Sequence, residues 1–177
     1  LIEHVAVAHP DKSLVLVGPI QTDVGKLAVL PNVYFLGQKK YEELPNYIQH
    51  FDLGLIPYIL NEYSRNVYPT KLNEYLIMGK PVISTPLPEV AYFNQSHQGV
   101  VSISESREAF IRQIDHELLQ DSDIRRMHRI RLVEKNAWHM KIEAMQRLIQ
   151  AKLEEKAIKR ELHWQEALAR FPMTSWP

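Results

Sequence analysis

Cysteine is absent from all 177 residues, which excludes a disulfide framework and any thiolate-ligated metal site. The absence fits a reducing compartment, and a cytoplasmic location is expected. An excess of charge of one sign is lacking too. Lys and Arg number 21, Asp and Glu number 21, so no overall field draws the chain to nucleic acid. No run approaches the roughly 20 apolar residues of a membrane-spanning helix. Any membrane contact is therefore expected to be peripheral, at the inner face. Metal-ligand spacing is missing as well. The eight histidines are scattered: His4 and His9 are separated by five positions with Pro10 adjacent, and His128 and His139 fall on separate expected helices. Neither a metal ion nor a resident cofactor is expected.

What is present is an ordinary globular composition, 45% hydrophobic, in short apolar runs that alternate with helical patterns. Ser13-Leu-Val-Leu-Val17 is a buried-strand run closed by Gly18-Pro19, and Val33-Tyr-Phe-Leu36 is a second, ended by Gly37. Asp52 to Ile56, Pro81 to Ser84 and Val100 to Ile103 supply three more. Between them, helices are expected over residues 1–9, with Leu1, Ile2, Val5 and Ala8 inward, and over Tyr41 to Gln49, with Pro45 in the first turn where proline is tolerated. A single short turn is expected over Glu89 to Phe93. A helix capped by Ser104 or Ser106 carries Phe110, Ile111, Ile114 and Leu118 as its stripe. Another begins at Asp121 or Ser122 and runs to about Lys135. Continuous apolar strands alternating with helices imply an α/β fold with a parallel, doubly wound sheet. Ligands of such sheets bind outside the carboxyl ends of the strands. The loops after Gly18, Gly37, Pro57 and Ser84 converge there.

The richest stretch is 52–84, DLGLIPYILNEYSRNVYPTKLNEYLIMGKPVIS. Pro57 ends its strand, and a polar loop of about a dozen residues follows, longer than the usual strand-to-helix connection. Pro69 and Thr70 mark a helix start, Leu72, Tyr75, Leu76 and Met78 its apolar face, and Gly79 its end. Thr70 and Lys71 stand at the amide-rich end, which suits a phosphate. Glu74, one turn on, can accept hydrogen bonds from both hydroxyls of a ribose. In isolation Glu74 would read as a solvated helix glutamate and Lys71 as a surface lysine. Together, beside a long loop, they form a constellation for a nucleotide.

The segment YPTKLNEYLIMGKPVIST resembles the donor-binding signature of retaining glycosyltransferases of the GT-B fold, group 1, or family 4-like. Glu74, Gly79, Pro81 and Val82 carry the specific part, and PNVYFLGQKKYEELPNYIQHFDLGLIPY upstream also matches. The likeness runs from Leu14 to Trp138. It implies a Rossmann-like donor-binding domain over residues 1–136, with Glu74 gripping the ribose and Thr70, Lys71 and the helix start holding the diphosphate. It also implies that the backbone at Gly37 and Gln38 holds the base, while Tyr58 and Tyr68 line the pocket. Many relatives carry a glutamate eight positions before the second; here Asn66 stands in that place, as the candidate for the donor sugar and the only candidate for a catalytic contact. The resemblance implies no metal: basic side chains and a helix end meet the leaving diphosphate instead.

By the same resemblance, a first strand with its Gly-rich loop and an N-terminal acceptor domain belong to this protein outside the present chain, so the chain alone is expected to be inactive. Leu1 to His9 reads as the end of a helix, in keeping with a piece of a longer protein. Residues 137–177 are expected to form a helical extension, because Trp138 to Arg170 contains neither Gly nor Pro. Its stripe of Met145, Leu148, Ile149, Leu153, Ala157, Ile158, Leu162, Leu168 and Phe171 would lack cover, so a tail that either self-associates or is disordered is expected. Arg125, Arg126, Arg129 and Arg131 read as one solvated basic face. The function expected is sugar transfer from a nucleotide-diphospho-sugar to a hydroxyl acceptor in polysaccharide or glycoconjugate synthesis. The alternatives are a nucleotide-sugar epimerase of the same fold and a non-catalytic nucleotide-binding or interaction module.

Overall fold

The computed structural model describes residues 1–134 and 138–170, except for the side chains of Trp138 and His139. The expected end of a helix at Lys135 and the stripe residue Phe171 lie outside the described residues. The chain divides into two compact units, Leu1–Glu134 and Lys135–Pro177.

In the first unit, five strands alternate with helices: β1 (Leu14–Val17), β2 (Val33–Gly37), β3 (Gly54–Ile56), β4 (Val82–Ser84) and β5 (Ser102–Ile103). All pairings are parallel, so the α/β class read from the sequence holds. The strands form two sheets, β1-β2 and β3-β4-β5. The parallel arrangement read from the sequence is divided between these two sheets. Register shows why they stay apart. The Leu14 amide donates to Asn32 O at 2.8 Å and the Gly18 amide to Gly37 O at 2.9 Å. Because strand groups alternate sides, Val15 and Val17 turn their backbone groups away from β2. The Gly54 amide donates to Pro81 O at 2.9 Å and Thr85 donates to Ile56 O at 3.1 Å, so Leu55 turns its groups away from β4. The two free edges border one apolar cluster: Val5, Ile83, Phe110 and Ile114 are its buried members, and Leu14, Leu53 and Leu55 pack against them.

Val5 lies on α1 (Ile2–Ala8), and Phe110 and Ile114 on α6 (Arg107–Gln120). On α1, Val5 and Ala6 are buried and Ala8 is exposed. Of the face expected, Leu1, Ile2 and Val5 hold and Ala8 does not; Ala6 and His9 take the inner side instead, with His9 Nε2 3.1 Å from Ile111 O. Asn32 closes this corner by donating to the carbonyls of Ala6, His9 and Lys12. A buried amide that ties two carbonyls at the end of α1 and one in the turn after it satisfies them together. Ser106 caps α6 by accepting from the Ala109 amide at 3.1 Å, one of the two residues expected to do so.

A short α2 (Gly25–Ala28) follows β1. The helix expected over Tyr41 to Gln49 is a 3-10 turn (Tyr41–Glu43) leading into α3 (Leu44–Ile48), with Pro45 in its first turn. The second cluster lies under β3 and β4: Ile56, Leu72, Leu76, Val82, Leu87, Val90, Phe93, Val101 and Val133. It brings together α4 (Lys71–Ile77), α5 (Pro88–Ser96) and α7 (Asp123–Glu134). The single turn expected at Glu89 is in fact the nine-residue α5. Its end is set by Asn94, whose side chain bonds both the amide and the carbonyl of Val101.

The second unit contains α8 (Trp138–Arg170), 33 residues without a break. The i,i+4 ion pairs Arg147–Glu143 at 3.3 Å and Lys159–Glu155 at 2.7 Å run along it. Each places the acid N-terminal to the base, the favourable orientation, worth about 0.2–0.5 kcal/mol. Ile142, Leu153 and Trp164 recur at eleven-residue intervals and are exposed, as are Met145, Ile149 and Leu168. Among the described residues no helix is long and apolar enough to cross a membrane.

Candidate functional site

The site is built on α4 and on the loop that feeds it. That loop carries exposed apolar side chains, Ile59, Leu60 and Tyr63, among its polar ones. It is pinned from inside. The Asn61 amide donates to Ser64 Oγ at 2.9 Å and the Ser64 amide donates back to Asn61 Oδ1 at 2.8 Å. Ser64, now buried, opens a 3-10 turn (Ser64–Asn66). The reciprocal pair satisfies two amides that a loop would otherwise leave to water.

Tyr68 then anchors the entry to α4. Its ring meets Phe93 edge-on at 6.3 Å, Phe93 stacks on His97 at 4.1 Å, and its hydroxyl donates to Asn73 Oδ1 at 3.0 Å. Burial raises the Tyr68 hydroxyl pKa, against the Asn73 bond. Pro69 is buried and accepts from the Leu72 amide at 2.9 Å. Thr70 adopts helical angles and its side chain makes no capping bond. The amides of Thr70 and Lys71 consequently carry no partner among the described residues. With α4 only seven residues long, its dipole is modest, so most of the positive charge here belongs to Lys71.

Lys71 and Glu74 lie one turn apart and both are half-buried. Burial lowers the Lys71 pKa, and Glu74 opposes the shift. Burial likewise raises the Glu74 pKa, with Lys71 opposing. The Lys71 ammonium sits 5.2 Å from the centroid of the Tyr58 ring, a cation–π geometry. Tyr75 closes the base of the group. Its hydroxyl is pushed up to about 12, by burial first and then by Glu74 and Tyr58. A Cβ on Gly54 would come within 2.4 Å of the Tyr75 ring. The bare glycine in β3 is therefore what lets Tyr75 lie against the sheet.

Of the residues singled out in the sequence, the structure brings Tyr58, Lys71 and Glu74 together, with Thr70 beside them and Tyr68 one hydrogen bond away on Asn73. Asn66 is exposed at the end of its 3-10 turn and Gln38 is exposed after β2. Gly37 sits in the left-handed region at φ +68°. Among the described residues no hydrogen bond or ring contact joins Gly37, Gln38 or Asn66 to α4.

The basic face expected along α7 is corrected for one member. Arg129 is buried, 3% exposed, with its Nε donating to Gly79 O at 2.8 Å and a terminal nitrogen to Asp121 Oδ1 at 2.5 Å. Arg125 instead reaches Glu117, at 3.5 Å. Asp121 and Asp123 flank Ser122 at the start of α7, and Asp121 is committed to Arg129. Among the described residues no group of three His, Asp or Glu side chains is placed to hold a metal ion. The concavities on α8 are lined by that one helix, from Gln146 to Glu154 and from Leu153 to Trp164. No second element converges on them, so they make no site.

The site thus consists of Lys71 over the Tyr58 ring with Glu74 one turn further along α4, beside the carboxyl end of β3. Residues 1–121 match the family model described as glycosyl transferases group 1. The chain belongs to this family. A stretch of 95 residues is 39% identical to a protein of Bacillus subtilis (strain 168) named "Putative teichuronic acid biosynthesis glycosyltransferase TuaH", covering 51% of this chain and 24% of that one. The chain thus spans about a quarter of that relative's length.

Proposed function

We propose that this group 1 glycosyltransferase chain is the donor-binding half of an enzyme that moves a sugar from a nucleotide diphosphate to a hydroxyl of a polysaccharide or glycoconjugate precursor. The observation that carries the reading is the pair Lys71 and Glu74, half-buried on one face of α4 beside Tyr58, next to two unpartnered amides. Glu74 accepts from the ribose hydroxyls. Lys71, Thr70 and the free amides meet the diphosphate and stabilise it as it leaves, which is electrostatic work. Tyr58 and Tyr68 form the wall. Asn66 faces the donor sugar, and Gly37 with Gln38 the base. The acceptor class rests on the name of the Bacillus subtilis relative. The arrangement needs no metal.

The free edges of β1 and β3, both bordering one apolar cluster, support a further parallel strand between them, and a second domain of the same protein would complete the cleft. The exposed stripe of α8 supports association through that helix. Titration calorimetry with UDP and with GDP tests the donor-binding reading. Glu74→Ala is expected to weaken binding by about 1–3 kcal/mol, the range for hydrogen-bonding groups such as the ribose hydroxyls left without a partner. Unchanged affinity in a folded variant removes Glu74 from the site, and no binding of either nucleotide favours an interaction module.

A further inference from the structure

We propose that Arg129 is a positioning residue for the donor site: through the Gly79 carbonyl it fixes the depth and pitch of α4, and with them Lys71 and Glu74. The proposal rests on the donor-site reading for its function, but its geometry stands on α4 and α7 alone. Arg129 is almost wholly removed from water. A guanidinium does not shed its proton in proteins, so it must be paired where it lies. Its partners are Asp121 on the approach to α7 and the carbonyl of Gly79 just beyond α4. Losing either leaves a buried charge short of a partner, which is strongly destabilising. The position of Gly79 is therefore tightly specified.

Gly79 is itself constrained. It takes φ +71°, its amide bonds Leu76 O at 2.9 Å, and an added Cβ would meet Arg126 Cγ at 2.5 Å. The Lys80 amide bonds Tyr75 O at 2.9 Å, and the Lys80 ammonium bonds Gln49 O at 2.8 Å. Three cationic side chains thus gather at the carbonyl end of α4, where its dipole favours them. From Gly79 back to Glu74 is about one and a half helical turns, with Leu72 and Leu76 fully buried beneath. A helix this short and this well seated moves as one piece. A change at its C-terminal clamp is felt at Glu74 without any direct contact.

Two measurements on the same proteins test this. The first is carboxyl ¹³C titration of Glu74 in Arg129→Met, Arg129→Lys and Asp121→Asn, which keeps Gly79's partner but weakens its hold. If Arg129 sets the seat of α4, Arg129→Met moves the Glu74 titration towards that of free glutamate, and the two milder variants move it less. The second is UDP and GDP affinity in a double-mutant cycle with Glu74→Ala. Arg129→Met is expected to weaken binding about tenfold, or 1.4 kcal/mol, in the wild-type background and to add nothing once Glu74 is gone. If Arg129→Met does not fold, Arg129→Lys and Asp121→Asn carry both measurements. An unmoved Glu74 titration overturns the proposal, and so does a loss of affinity that simply adds to that of Glu74→Ala. If neither nucleotide binds the wild-type chain, the donor reading fails and the titration alone decides the role of Arg129.

Discussion

Glu74 is held where burial disfavours its charge. Burial raises its pKa, and the nearby Lys71 only partly offsets this. For a carboxyl raised in the folded state, the sign is fixed. Below the ordinary value of 4.5 both folded and unfolded chains are protonated and nothing is lost. As pH rises through the folded value, the fold must carry the charge and stability falls. Glu74→Gln is therefore expected to unfold at a higher temperature than wild type at neutral pH, with the difference vanishing below the ordinary carboxylate range. A thermal melt series across pH checks this. A residue kept at a cost to the fold is characteristic of a site shaped for a ligand. The sequence showed the identity of this pair and its one-turn spacing. It did not show that Tyr58 would lie under the lysine, because nothing in an isolated tyrosine distinguishes a wall from a core position. Arg129 was misread for a related reason: four arginines on one helix look alike until a neighbouring backbone carbonyl claims one of them.

At the level of elements, two glycines decide how α4 meets the sheet. Gly54 gives Tyr75 its place against β3, and Gly79 lets the chain turn sharply into β4. Gly54→Ala would drive a methyl into an aromatic ring held on the far side by the core. It is expected to cost about 1–3 kcal/mol, the usual scale of overpacking, seen as a lower urea midpoint with unchanged slope. The start of α4 was legible from Pro69 and its end from Gly79, because proline and glycine act locally. The length of α5 was not, since Asn94 ends it by bonding Val101 seven residues on. The inward face of α1 was likewise decided by His9 and Asn32, which come together only in the folded chain.

At the scale of the whole molecule, the alternation of apolar strands and helices was enough to give a parallel α/β fold. It could not show that the strands would fall into two sheets, because each run looks the same whether its edge is paired or free. The free edges make a direct prediction. The Leu55 amide points away from β4, and the Gly54 amide beside it donates to Pro81 O. Amide exchange at Leu55, and at Val15 and Val17, is expected to be much faster than at Gly54 and Leu14 in this chain. Equal protection on both sides of β3 would mean that its outer edge is already paired.

The measurement that bears most directly on the account is a crystal structure of this chain with UDP or GDP. The expected result places both ribose hydroxyls within hydrogen-bond reach of the Glu74 carboxylate, about 2.7–3.2 Å, and the diphosphate beside Thr70 and Lys71. A nucleotide seated elsewhere on the fold, with Glu74 facing only water, would contradict it.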